Sequence, residues 1–146
     1  AHRQAVLGTL DDVGRPYAAM VAYAPEPDLA GFLVHLSDLG AHKRHLRARP
    51  DVSLLICQPD DGRSEIMQRH RLSLQCAAAV LPRGTDSAAA RAVYLARFPS
   101  HRMMFDIGDF DLVRLVPYAG LLNAGFGRAY AVTPDVLAAA ARAAVP

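Results

Sequence analysis

The segment FLVHLSDLGAHKRHLRARPDVSLLI, from Phe32 to Ile56, constrains this chain more than any other. Its apolar run ends at Ser37, and a second apolar run starts at Val52. Between them stand His42, Lys43, Arg44, His45, Arg47 and Arg49. Strands end where apolar runs end, and Pro50 cannot continue a helix, so the pattern reads strand, short basic helix, strand. A helix from about Leu39 to Ala48 can be capped by Ser37 or Asp38. A strand that delivers a Ser to the start of a cationic helix is suited to an anion. Free N–H groups and the helix dipole both favour negative charge there.

The remaining segments are short and alternate with turn signals. Gln4 to Leu10 and Tyr17 to Ala24 read as a hairpin across the Asp11-Asp12-Val13-Gly14-Arg15-Pro16 turn. Arg71 to Val80 alternates Leu72, Leu74 and Cys76 with Arg71, Ser73 and Gln75, a strand with one polar face. Asp86 to Phe98 reads as a helix with Thr85 or Asp86 as N-cap, closed by Pro99. Strands are expected at Phe110 to Val116 and Leu121 to Val132, and Thr133-Pro134 opens a final helix. The expected fold class is mainly β (α+β): an antiparallel barrel with about three flanking helices. Its 146 residues, half of them hydrophobic, suit a single domain spanning 1–146.

Composition narrows the function classes. A net charge of +2 is too small to argue for a nucleic-acid partner. No run is long and apolar enough for a membrane span. Cys57 and Cys76 sit in apolar runs without metal-ligand spacing and read as reduced core thiols of a cytoplasmic protein. His2, His35, His42, His45, His70 and His101 form no ligand motif, so no metal site is expected. Met103, Met104 and Phe105 read as core, and Asp106, Asp109 and Asp111 as solvated loop acids around Gly108. Gly125-Phe126-Gly127-Arg128 is glycine-rich without matching a phosphate loop. Glycines within a strand mark a bulge or a close approach to a ligand. The chain begins with Ala1 rather than Met, and residues upstream are expected.

In order, these segments resemble the FMN-binding split-barrel family related to pyridoxamine 5′-phosphate oxidase. The residues that carry the resemblance are Leu7-Gly8-Thr9-Leu10 with Gly14-Arg15-Pro16-Tyr17, Ser37 with His42-Lys43, and Pro50-Asp51-Val52-Ser53-Leu54-Leu55. Arg91, Tyr94-Leu95, Phe98-Pro99 and Gly108-Asp109-Phe110 follow in the same scheme. Gly125-Phe126-Gly127-Arg128-Ala129 is similar to the HugZ-like haem-degrading branch. The resemblance runs from about residue 4 to residue 132.

It implies a split-barrel homodimer with FMN in clefts between the subunits and an oxidoreductase activity on an unknown small molecule. Ala18, Ala19, Met20 and Val21 would lie along the flavin ring. Ser37, His42, Lys43 and Arg44 would hold its phosphate. Arg71 would face the flavin from its strand, and Phe126 and Arg128 would reach the cleft from the last one. No catalytic residue is assigned. The family's phosphate-binding cations on the second strand are replaced by Ala19 and Ala24, and its C-terminal Arg-x-His pair is missing. Oxidation of pyridoxamine phosphate is therefore not expected. The alternatives are a haem-binding or haem-degrading protein of the HugZ-like branch and a flavin-binding module without turnover. The branch's C-terminal haem-ligating His has no counterpart after His101.

Overall fold

The computed structural model describes residues 2–63 and 65–145. Its strands are β1 (Gln4–Leu10), β2 (Pro16–Pro25), β3 (Phe32–Ser37), β4 (Asp51–Cys57), β5 (Arg71–Val80), β6 (Phe110–Asn123) and β7 (Ala129–Val132). Its helices are α1 (Ala41–Ala48), α2 (Ala88–Arg97) and α3 (Pro134–Ala144), with short 3-10 turns between. The strands run antiparallel in the order β3-β2-β1-β4-β5-β6-β7, and a further β3–β6 pairing closes six of them into a barrel.

Alternation fills the barrel. Ala5, Leu7, Val21, Tyr23, Val34, Leu36, Val52, Leu54, Leu74, Cys76, Val113 and Leu115 point inward and are buried. β3 opens with three consecutive buried apolar residues, Phe32 to Val34, because both of its faces are covered. Leu33 turns outward and packs with Leu112 against Ala90, Tyr94 and Phe98 of the α2 region. Leu46 of α1 and Leu137 of α3 join the interior cluster. No helix among the described residues is long and apolar enough to cross a membrane.

β6 departs from expectation. One strand runs from Phe110 to Asn123, through Pro117 and Gly120, where a break was expected. Its first half pairs with β3 and its last four residues with β7, while β5 lines its other edge from Val113 to Asn123. Pro117 is tolerated because it lies between those two partners, where the β5 ladder shifts register at Gln75/Cys76. A Cβ on Gly120 would stand 2.7 Å from the Ser73 carbonyl, so only glycine lets the strands close there. The expected strand Leu121 to Val132 is therefore the end of β6, a turn, and β7. Gly125 and Gly127 take positive φ in that turn.

Other boundaries move less. α1 starts at Ala41 after Gly40, and no side chain caps it. Ser37 instead accepts a hydrogen bond from the Leu39 N–H, 3.1 Å away. The helix expected from Asp86 starts as a 3-10 turn and becomes α-helical at Ala88. Asp86, one of its two expected caps, has a side chain outside the described residues. Thr133 caps α3 by accepting from the Val136 N–H, with Pro134 at the first position, as the sequence implies. Met103 is 77% exposed rather than core, and Cys57 is exposed while Cys76 is buried.

His35 stacks on Phe105 at 3.9 Å between ring centres, and its Nδ1 is buried without a partner. Burial, with the positive charge of His101 second, lowers its pKa to about 4. The unfolded chain takes up that proton below about pH 6.5, and the folded chain does so only near pH 4. The His35 contribution to stability is therefore complete above about 6.5 and is lost as the pH falls toward 4. His35→Phe should be relatively more stable in acid. Urea midpoints at about pH 7 and about pH 5 should show the variant gaining on the wild type at the lower value. An unchanged difference would remove His35 from the acid sensitivity of the fold.

Candidate functional site

A shallow groove crosses the outer face of the barrel. Strand register aligns Ala18 with Gly8, Gly8 with Ser53, and Ser53 with Gln75. Side chains alternate sides, so this row faces outward while Leu7, Val21 and Leu54 face the core. Ala18, Gly8 and Ser53 are all small, and a Cβ on Gly8 would collide with Ser53 Oγ. The floor is thus flat. Pro16 and Tyr17 border the groove, as does Tyr118, and its volume is about 490 Å³. That lies within the roughly 300–1,000 Å³ of small-molecule sites. The adjoining row, Met20, Val6, Leu55, Ser73 and Leu121, continues the surface and is mostly apolar. Met20 is 71% exposed.

The basic helix plugs the barrel end beside this groove. Its side chains divide sharply between burial and solvent. Lys43, expected to hold a ligand phosphate, is 1% exposed. Its Nζ lies 2.7 Å from Asp38 Oδ1, 2.7 Å from Asp111 Oδ2 and 2.9 Å from the Asp109 carbonyl oxygen. Asp111, read from sequence as a solvated loop acid, is 6% exposed. It also pairs with Arg47 at 3.0 Å and Arg83 at 2.8 Å. Burial raises the Asp111 carboxyl, but hydrogen bonds from Arg83 and Lys43 outweigh it and hold the group below its usual range. Ser37 Oγ donates to Asp109 Oδ2 at 2.9 Å.

Ser37 and Lys43 are therefore already engaged. Arg44 is exposed and lines a second hollow of about 420 Å³ with Arg15, His45, Asp11 and Asp12. This hollow shares Pro16 and Tyr17 with the groove. His45 is buried, with Nδ1 3.0 Å from Thr9 Oγ1 and the Tyr17 ring edge-on at 5.2 Å. His42 is half-buried against Gly40. Burial first, then the charge of His45, lowers its pKa, so it does not add a cation at neutral pH.

The other expected site residues fall in three places. Ala18 and Met20 face the groove side, Ala19 points toward the barrel, and Val21 is in the core at 6% exposure. Val21 cannot meet a ligand on the outer face with its side chain, because the two-residue alternation turns it inward. Arg71 donates to the Met67 carbonyl at 3.0 Å and braces the β4–β5 loop. Phe126 is 89% exposed at the β6–β7 turn, with Arg128 just after it, and neither lines the groove. Gly8, Ser53, Tyr17 and Tyr118 were assigned no role from sequence. The hairpin register, which sets Gly8 opposite Ala18, was the available signal. Among the described residues no three His, Cys, Asp or Glu side chains converge as a metal site.

A closed antiparallel barrel, with a basic helix at one end and a flat groove across its outer face, defines a split-barrel protein with room for a planar small molecule. The chain belongs to the pyridoxamine 5′-phosphate oxidase family, whose profile matches residues 1–121. It is 30% identical over 134 residues to the heme oxygenase HutZ of Vibrio cholerae, covering 90% of this chain and 74% of that protein. It is 36% identical over 104 residues to the chloroplastic non-canonical heme oxygenase HOZ of Arabidopsis thaliana, covering 71% of this chain and 30% of that one. A solved heme binding protein from Mycobacterium smegmatis superposes with a TM-score of 0.84 at 28% identity, covering 94% of this chain and 55% of its own. The chain thus spans about half of the mycobacterial protein and less than a third of the plant one.

Removing one partner of a buried ion pair leaves the other charge unpaired, which costs about 3 kcal/mol or more. Asp111→Ala strips three cations of this partner and leaves the buried Lys43 only the exposed Asp38 as carboxylate partner, so it should lower unfolding free energy by up to about that amount. Lys43→Met, which leaves Asp111 with Arg47 and Arg83, should cost clearly less. Urea unfolding of both variants decides; a costlier Lys43→Met would contradict this ordering.

Proposed function

We propose that this chain binds haem, and that its groove is the seat of the macrocycle rather than of a flavin. One observation carries the choice. The hydroxyl and the ammonium that a flavin phosphate would need at the start of the basic helix, Ser37 and Lys43, are bound to Asp109, Asp38 and Asp111. The flat floor, by contrast, is open and suits any planar conjugated ring. The kinship with heme oxygenases and a heme binding protein supports the same reading.

Among the described residues the groove has no His to ligate iron, but the residues present fit the haem ring and its carboxylates in kind. Ala18, Gly8 and Ser53 would underlie the ring, with Tyr17 and Tyr118 at its borders. Arg44 and Arg15, in the adjoining hollow, would meet its carboxylates. Haem would itself supply the iron redox chemistry, and the chain would bind it, orient it and limit its contact with water. Oxidative haem degradation is the activity to assay.

The same surface supports a homodimer. Val6, Met20, Tyr118 and Leu121 are 39%, 71%, 49% and 43% exposed on one continuous sheet face. Apolar surface of this extent on a folded domain is covered by a partner. A second copy laid over it would turn the open groove into a closed cleft.

Three measurements test this reading. Purified protein titrated with haem should develop a shifted Soret band at about one equivalent, while FMN fluorescence should stay unquenched at similar concentrations. Tight FMN binding with no haem uptake would reverse the assignment. Ala18→Phe should weaken haem at least about tenfold, or about 1.4 kcal/mol, with the fold unchanged by circular dichroism. Unaltered affinity would move the ligand off this floor. Light scattering should give a dimer, and Met20→Asp should give a monomer with weakened haem binding. A wild-type monomer that still binds haem would end the dimer proposal.

A further inference from the structure

A smaller cavity, of about 90 Å³, lies away from the groove, where β3 and the start of β6 meet the segment leading into α2. His35, Leu81, Arg83, Ser87, Arg91 and Phe105 line it, between the barrel wall and the start of α2. It is far too small for a macrocycle or a flavin. At roughly 30 Å³ per water it has the capacity of about three waters.

Its polar groups point to one ligand charge. The Arg91 guanidinium sits 4.8 Å above the Phe105 ring. Among the described residues it has no ion pair and no hydrogen bond. Asp111 also lines the cavity, but Lys43, Arg47 and Arg83 already surround it. Asp38 and Asp109 balance the other two of these cations, so Arg91 is the cavity charge left without a counter-ion among the described residues. Ser87 occupies the N-cap position of the ten-residue α2, yet no side chain caps that helix. Ser87 itself lines the cavity, with its hydroxyl 3.4 Å from the Gly84 carbonyl oxygen, while the Ala88 N–H already bonds the Thr85 carbonyl. The His35 ring forms a wall of the cavity, and its Nδ1 is buried without a partner. Burial keeps that ring neutral, so it can donate or accept one hydrogen bond. Leu81, Phe105, Phe110 and Leu112 make the rest apolar, which strengthens any charge-assisted contact made inside.

We propose that this cavity is a binding site for a small oxyanion, with Arg91 as counter-ion and Ser87 and His35 as hydrogen-bonding groups. The ligand carries one compact anionic group, a carboxylate or a phosphate. The site is independent of the haem groove and shares no lining residue with it. A single anion here would neutralise Arg91.

Titration of the full chain with acetate and with inorganic phosphate tests the proposal, read by amide shifts in ¹H–¹⁵N spectra. Saturable shifts confined to Ser87–Ala90, Arg91 and His35 are expected with at least one of the two anions. The tighter anion identifies the ligand class. Arg91→Gln should weaken binding about tenfold or more, as loss of a charge-assisted contact does. Arg91→Lys should retain part of it, and Arg142→Gln, on exposed α3, should change nothing. Thermal melts without anion establish that the variants fold. Melts with anion should show stabilisation of the wild type that Arg91→Gln lacks. Absence of saturable shifts with both anions, or equal binding by Arg91→Gln, would overturn the proposal.

Discussion

One carboxylate organises the site end of this molecule. Asp111 sits where β6 begins beside the end of β3, and it receives Lys43 from α1, Arg47 from α1 and Arg83 from the loop before α2. A lysine with 1% exposure is unaffordable without such a partner. Pairs of this kind add little net stability over apolar packing, but they fix geometry, because no other arrangement satisfies the buried charge. Here they fix where the basic helix lies. With α1 held, Leu46 reaches the core and His45 meets Thr9. Tyr17 packs on His45 and becomes a wall of the groove.

The functional reading follows from how that network divides the cations. The sequence groups six basic residues as if they were equivalent. Burial separates them: Lys43 is consumed by Asp111 and Asp38, while Arg44 stays exposed beside the groove. An anionic ligand at this end meets guanidinium groups at the rim, not a buried ammonium at a helix start. That arrangement suits carboxylates at the edge of a large planar ring better than a phosphate held deep. The floor itself owes nothing to charge. It is flat because Ala18, Gly8 and Ser53 fall in one cross-strand row.

Much of the fold was legible from the chain. The first hairpin, β3, α1, β4 and β5 follow directly from period-two alternation punctuated by Gly and Pro, and β1, β3 and β5 have the expected limits. β6 was not legible. Pro117 and Gly120 read as breaks, and only the split of its edge between β3 and β7 makes them harmless. At the site, the burial of Lys43 against Asp111 was not legible, for one reason. Their pairing spans 68 positions of sequence and depends on barrel closure, which local pattern does not encode. Val21 was assigned to a ligand through its strand as a whole, and the register sorts that strand into alternate residues. Gly8 and Ser53 stayed silent because small residues without chemistry matter only when a row of them is assembled.

The central claim is that a planar haem lies on the Ala18–Gly8–Ser53 row. Paramagnetic broadening by ferric haem tests it directly, since amide signals vanish near the iron. Stoichiometric haem added to ¹⁵N-labelled protein should erase the signals of Gly8, Ala18, Ser53 and Gln75 first and leave those of α2 sharp. Broadening centred on α2, or none at all with haem demonstrably bound, would contradict this account of the site.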